Sequence, residues 1–384
     1  MSESSSMEPS TPAAPHSSIA THFGTLKDPR VVGRSDHDLL DILTLAILAV
    51  ICGAKGWEDI EDWAVDHAAW LRTFLRLPHG IPQHDCYRRV FAALAPGPFA
   101  QCFTQWMQAL VGATAGKLVA IDGKTMRRSF DRARGCSALH VVSAWVAANG
   151  VALGQVVTDA KSNEITAIPA LLDLLDIRGA VVSIDAMGCQ KSIASKIVER
   201  GADYLLALKD NHPTVHQEVA AYFAGAVGTP TVHSHTTTDG GHGRVEVRTV
   251  HVTTDLAWFE DRSDWKGLKS FVKVESERDL GTKVQRECRY FLCSLATTDA
   301  AAVGAYVRDH WSIENSLHWT LDVTFREDDC RIREGHGPQN FALLRKLALG
   351  LLKRTPFGRR SLVQRQKLAD RNPDYLLSVL AAGS

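Results

Sequence analysis

Apolar positions change their spacing along this chain, and the changes mark its organisation. From about residue 19 to 110 they recur at helical intervals. Ser35 or Asp36 is placed to cap a helix carrying Leu39, Leu40, Ile42, Leu43, Ala46, Ile47 and Val50, a stripe wide enough to predict burial, with Gly53 and Gly56 at its end. Trp57 to Ala69 reads as a second helix with an acidic face. Pro78 to Pro82 is a turn cluster, and Gln83 to Leu94 a further helix carrying Arg88 and Arg89. Two readings stand for these helices: ordinary packing, or a helix-turn-helix whose arginines touch phosphates.

From Lys117 the pattern becomes strand-like. Lys117–Thr125 is a short apolar run with Asp122 in its far half, and Ala180–Met187 repeats the arrangement with Asp185. Leu139–Ala147 and Val151–Thr158 flank Asn149-Gly150, a hairpin signal. Lys161 to Leu175 predicts a helix capped by Ser162 or Asn163, with Glu164 in its first turn. Gln190–Arg200 is a helix and Tyr204–Leu208 a strand. This order predicts an α/β sheet with one antiparallel pair. Residues 225–300 read as an inserted antiparallel unit with strands near Val245–Val252, Phe271–Ser276 and Arg289–Ser294. A helix over Ala300–Thr320 then carries His310, Glu314 and His318 on one face.

A buried strand tolerates a lone carboxylate poorly, so two strands that each deliver an aspartate suggest a shared cation site. Glu314 fits as a third hard oxygen ligand for Mg2+ or Mn2+. Two other readings of its helix stay open: a zinc site, although the His-Glu-x-x-His spacing is absent, and a polar stripe of i,i+4 pairs.

Charge adds direction rather than sign. Lys+Arg and Asp+Glu both number 43 in the 384 residues, yet Leu343–Arg371 is strongly basic and Asp36–Asp66 strongly acidic, which favours a polyanion on one face. None of the 8 cysteines forms a Cys-x-x-Cys pair, so neither a zinc ribbon nor a redox motif is supported, and a reducing, cytoplasmic setting is expected. The Ser- and Pro-rich start is expected to be a disordered tail over 1–18, with neither a signal peptide nor a membrane anchor.

An ordered set of segments resembles the DDE transposases of bacterial insertion sequences, in the branch of the H-repeat-associated proteins. They are His22-Phe23 with Asp28-Pro29-Arg30, Asp122-Gly123-Lys124, Lys161 through Ile165, Asp185 through Gln190, Tyr204 through Lys209, Gly243 through Arg248, and His310 through Trp319 with Leu321-Asp322-Val323, Phe325 and Glu327-Asp328. The resemblance implies a ribonuclease-H-like mixed sheet with flanking helices, a mostly β insertion before the catalytic glutamate, and an N-terminal helical domain. It divides the chain into a helical DNA-end-binding domain at 19–112, a catalytic domain at 113–224 interrupted by the insertion at 225–300 and completed over 301–355, and a basic segment at 356–384.

Asp122, Asp185 and Glu314 match the family's metal-binding triad, which implies two Mg2+ or Mn2+ ions. The implied partners are the terminal inverted repeats and target DNA, gripped by a homodimer on DNA. Relatives in the wider superfamily carry a Tyr-Arg-Glu-Lys signature. Here its Arg and Lys positions hold His310 and Leu321, while Tyr306 and Arg308 lie out of register. Expected DNA contacts are therefore Lys124, Arg127, Lys161, Lys209, Arg244, Arg308 and His310, with Arg345 and Lys346 in the basic tail. Trp258 and Trp265, in the insertion, are candidates to stack a displaced base or to sit in the insertion's own core. The alternatives are a catalytically inactive DNA-binding descendant and a small-substrate metal phosphohydrolase.

Overall fold

The structure is a computed structural model that describes residues 15–31, 33, 35–130, 135, 137–158, 164–241, 244–279, 281, 283–356 and 358–382. The expected tail before Pro15, the caps Ser162 and Asn163, and Lys161 lie outside the described residues. Its helices are α1 (Pro15–Phe23), α2 (Leu39–Cys52), α3 (Trp57–Asp66), α4 (Ala68–Leu71), α5 (His84–Ala93), α6 (Pro96–Val111), α7 (Glu164–Leu174), α8 (Lys191–Glu199), α9 (Pro213–Ala226), α10 (Ala300–His310), α11 (Trp319–Val323), α12 (Gly337–Arg354), α13 (Leu362–Arg371) and α14 (Pro373–Ala381). The strands are β1 (Leu118–Thr125), β2 (His140–Val146), β3 (Val151–Thr158), β4 (Val181–Ile184), β5 (Asp203–Leu208), β6 (His233–Gly241), β7 (Arg244–Thr253), β8 (Ser270–Asp279) and β9 (Val284–Cys293). Two units result: the described residues up to Leu110 together with those from Ile332 onward, and Val111–Arg331. The boundary expected at 355 falls inside the first of these units, where α12 packs with α2 and α5.

In the helical unit, α2 is buried along nearly its whole length, as its apolar content dictates. Its cap is Asp38, whose carboxylate accepts from Leu40 N at 2.7 Å, rather than the expected Ser35 or Asp36. Gly53, at φ 112°, closes it in a left-handed turn. Among the described residues no single helix is long and apolar enough to cross a membrane. Trp57 lies between Phe91 and Phe341, with ring centroids 5.1 and 4.9 Å away. Asn340 Nδ2 donates to the carbonyls of Phe91 and Leu94 at 2.9 and 3.0 Å, which satisfies the open end of α5.

Helix α12 is thus a core element, and this overturns part of the expected basic tail. Arg345 and Lys346 are buried, and the Arg345 guanidinium lies 4.3 Å over the Phe341 ring. Neither faces solvent where it would meet a phosphate. Arg359, Arg360, Lys367 and Arg371 are exposed, whereas Arg365 donates to the Leu352 and Thr355 carbonyls at 2.8 and 3.2 Å and so caps α12. In α5, Arg88 is taken up by Asp85 and Glu334.

The other unit is built on one sheet of order β3-β2-β1-β4-β5-β9-β8-β7-β6. Its first five strands, antiparallel through β3-β2-β1 and parallel through β1-β4-β5, form the ribonuclease-H-like sheet. Gly150, at φ 64°, makes the expected β2–β3 turn. The expected antiparallel insertion is joined to the main sheet: β9 pairs antiparallel with β5, so the insertion continues the same sheet. One apolar layer runs from Leu118, Val181 and Leu205 to Val250, Val272 and Phe291, beneath Val303 and Val307 of α10. Strand β6 escaped the sequence reading because its His, Thr, Asp and Gly residues suit a solvated edge. Trp265 is buried, and Trp258 stacks on Tyr222 with centroids 4.6 Å apart, so burial rather than base stacking holds for Trp265.

Candidate active site

The parallel register of β1 and β4 ends at Ile121 opposite Ile184. Asp122 and Asp185 come one step later, side by side on neighbouring strands, which lie about 4.8 Å apart in any sheet. Asp122 lies within β1 and Asp185 just past β4, where the parallel pairing stops and open α/β sheets present a crevice. Asp185 is locked by its own turn: Oδ1 accepts from Met187 N at 3.1 Å and Gly188 N at 3.3 Å. A Cβ on Gly188 would fall 2.2 Å from Ile184 Cγ2, so only glycine permits this sharp exit from the strand.

Glu314 arrives from the far end of the unit on a widened helical turn. Trp319 N–H bonds to Glu314 O, the i→i+5 bond of a π-helical segment, a distortion that recurs at functional sites. Two hydrogen bonds fasten the segment to the sheet. Ser183 Oγ on β4 lies 2.8 Å from His310 Nδ1, and Trp145 Nε1 on β2 donates to Ser312 Oγ at 2.9 Å. The π turn breaks the expected common face: His310 turns to Ser183, while His318 Nδ1 lies 3.6 Å from Asp122 Oδ2.

The electrostatics report a crowded centre. Burial pushes the Asp122 carboxyl up to about 7, and the charges of Asp185, Glu314 and Glu164 add to that, opposed by the Gly123 N–H bond. Among the described residues no three His, Cys, Asp or Glu side chains close on one point as ligands, so neither a zinc site nor a fully assembled metal cage is present. The donor chemistry suits a hard divalent cation: carboxylate oxygens without sulfur, and a like-charge excess that such an ion would neutralise.

Behind Asp122 lies a pair that the sequence did not reveal. His140 Nε2 and Glu164 Oε1 are 2.5 Å apart, both side chains are buried, and Thr125 Oγ1 lies 2.9 Å from the other ring nitrogen. The readable signals were only a histidine opening a strand and a glutamate opening a helix.

The expected DNA contacts fare unequally. Lys124 is held by Asp322, Glu327 and Asp328 at 2.7, 3.2 and 3.0 Å. Burial depresses its pKa, but these carboxylates outweigh it and the net shift is upward. It is a caged cation rather than an exposed phosphate contact. His310 also fails as a cation, because burial lowers its pKa to about 4 and leaves it neutral at neutral pH. Arg127 is largely exposed and only loosely paired with Asp328 at 3.3 Å, and Arg308 pairs with Asp239 in solvent. Lys209 is exposed just beyond β5, at the same sheet edge as the aspartates. The backbone of Arg244 opens β7, while its side chain, like all of Lys161, is outside the described residues.

Comparison with known proteins agrees with this architecture. The family model "Transposase DDE domain" matches residues 114–351, and "DDE_Tnp_1-associated" matches 20–107. The "H repeat-associated putative transposase YhhI" of Escherichia coli K12 is 38% identical over 370 residues, covering 94% of this chain and 97% of that protein. "Putative transposase YncI" of Escherichia coli O157:H7 is 40% identical over 374 residues, covering 96% and 95%. "Inactive transposase YbfQ" of strain K12 matches at 45% over 72 residues, 19% of this chain and 86% of that protein. A cryo-EM structure of the piggyBac transposase synaptic complex with hairpin DNA aligns at TM-score 0.41 and 9% identity, over 95% of this chain and 77% of that one. With its sheet ending in paired aspartates and its matched domain spanning most of its length, this chain belongs to the DDE-domain transposase family.

Proposed function

We propose that this protein cleaves DNA at the terminal inverted repeats of an insertion sequence and joins the freed 3′ ends to a target, by cut-and-paste, with Mg2+ or Mn2+ held by Asp122, Asp185 and Glu314. One observation carries the reading: two aspartates stand side by side past a parallel ladder, and the charge of Glu314 is felt at Asp122. When bound, two divalent ions supply a polarised scissile phosphate and an activated water or 3′-hydroxyl.

The chain's own residues prepare that chemistry. Asp185 is held in one orientation by two backbone N–H groups. The bonds from Ser183 to His310 and from Trp145 to Ser312 fix the N-terminal approach to the Glu314 turn against the sheet. Lys209, Arg127 and Arg308 are the proposed phosphate contacts. The ion pairs of the two arginines are surface pairs worth about 0–1 kcal/mol, which a phosphate can displace. The helical unit is proposed to bind the element's ends, and two copies to act together on them.

The test is incubation of the purified full chain with labelled end DNA, with and without Mn2+. Cleavage that needs Mn2+ and is lost in Asp122→Asn, Asp185→Asn and Glu314→Gln supports the reading. End binding without cleavage by the wild type in any divalent ion makes the protein a DNA-binding descendant instead.

A further inference from the structure

His140 and Glu164 form a hydrogen-bonded pair buried inside the α/β unit, at 2% and 3% exposure. We propose that this pair is an outer positioning element of the catalytic centre, bracing β1 behind Asp122 and strengthening the site's hold on a divalent cation. The proposal rests on the reading that Asp122 binds such an ion.

Three observations point the same way. The pair is pressed against the backbone of the residue that follows Asp122: a Cβ on Gly123 would lie 2.4 Å from both Glu164 Oε1 and His140 Nε2. Glycine here is the condition for the pair to exist, and any shift of the pair moves the peptide that carries Asp122. Next, Thr125, three residues further along the same strand, fixes the other ring nitrogen. The imidazole therefore links β1 to the start of α7. Finally, a buried hydrogen-bonded pair is an odd choice for stability alone, since replacing both partners by apolar groups of the same shape can be nearly neutral. Its carboxylate also adds negative charge at Asp122, which favours a cation there.

The experiment is calorimetric titration of Mn2+ into the full chain, with near-ultraviolet circular dichroism to monitor packing. Wild type is expected to bind Mn2+, and Asp122→Asn to abolish that binding. Glu164→Gln keeps the shape and removes the charge, and is expected to weaken Mn2+ roughly 10-fold or more, as loss of an outer partner typically does. Thr125→Val, at the exposed end of β1, is expected to weaken it by a smaller factor. Folded Glu164→Gln with wild-type Mn2+ affinity overturns the proposal. If that variant does not fold, unchanged affinity in Thr125→Val overturns it. Wild type and Asp122→Asn binding Mn2+ alike would refute the metal reading of the site itself, and this inference with it.

Discussion

Gly123→Ala tests the geometry behind Asp122 directly. The added methyl would sit 2.4 Å from Glu164 Oε1 and His140 Nε2 and 2.7 Å from Glu164 Cδ. Ordinary contact needs about 3.5 Å, so the partners must retreat by roughly 1 Å. Neither has slack. His140 is held by the β1 register and by Thr125, and Glu164 by its place in the first turn of α7. Overpacking of this kind costs about 1–3 kcal/mol, and opening the hydrogen bond adds about 1–3 kcal/mol for a buried polar group left unpaired. Together they predict a loss of about 2–6 kcal/mol, or roughly 4–24 °C in the melting of a unit this size. The assay is scanning calorimetry of the full chain, following the transition of the Val111–Arg331 unit. In Gly123→Ala with Glu164→Ala one of the two clashing partners is gone and the hydrogen bond is already lost, so the double variant is expected to lose less than the sum of the singles, with coupling of about 1–3 kcal/mol. A Gly123→Ala protein that melts with the wild type, or strictly additive losses, would refute the reasoning.

Other outcomes follow from the same structure. Asp122→Asn, Asp185→Asn and Glu314→Gln are each expected to abolish cleavage while leaving end binding intact in gel-shift assays. Because the folded Asp122 carboxyl is raised to about 7, its contribution to stability is fully present below its ordinary value near 3.8 and is lost as pH rises through 7. The metal-free protein should thus melt lower at pH 8 than at pH 5 by an increment that disappears in Asp122→Asn. Arg345→Met removes a buried charge whose hydrogen bond to Lys55 O is long, at 3.5 Å, and should leave stability unchanged or raised and DNA affinity unaltered in filter binding. Lys209→Ala should weaken DNA binding and reduce the slope of log affinity against log salt by about 1, the signature of one lost phosphate contact.

Much of this protein was legible along the chain because its signals are local. Strand and helix periods located β1 to β5, α2 and α8 to within a residue or two, and turn chemistry located the Asn149-Gly150 hairpin. The two strand-borne aspartates announced themselves because an apolar run rarely carries a carboxylate without reason.

What stayed hidden depends on partners distant in sequence. No pattern at Lys124 shows that Asp322, Glu327 and Asp328 will enclose it, and none at His140 shows that Glu164 will meet it across Gly123. A basic run over Arg345 and Lys346 looks solvated until α12 is packed among α2 and α5. Three of the insertion's four strands were readable, but their addition to the edge of β5 was not, since an edge can pair with any strand of compatible register. Sequence determines which side chains are costly to bury; only the packed fold decides which neighbour compensates each of them, and that choice separates a DNA contact from a brace.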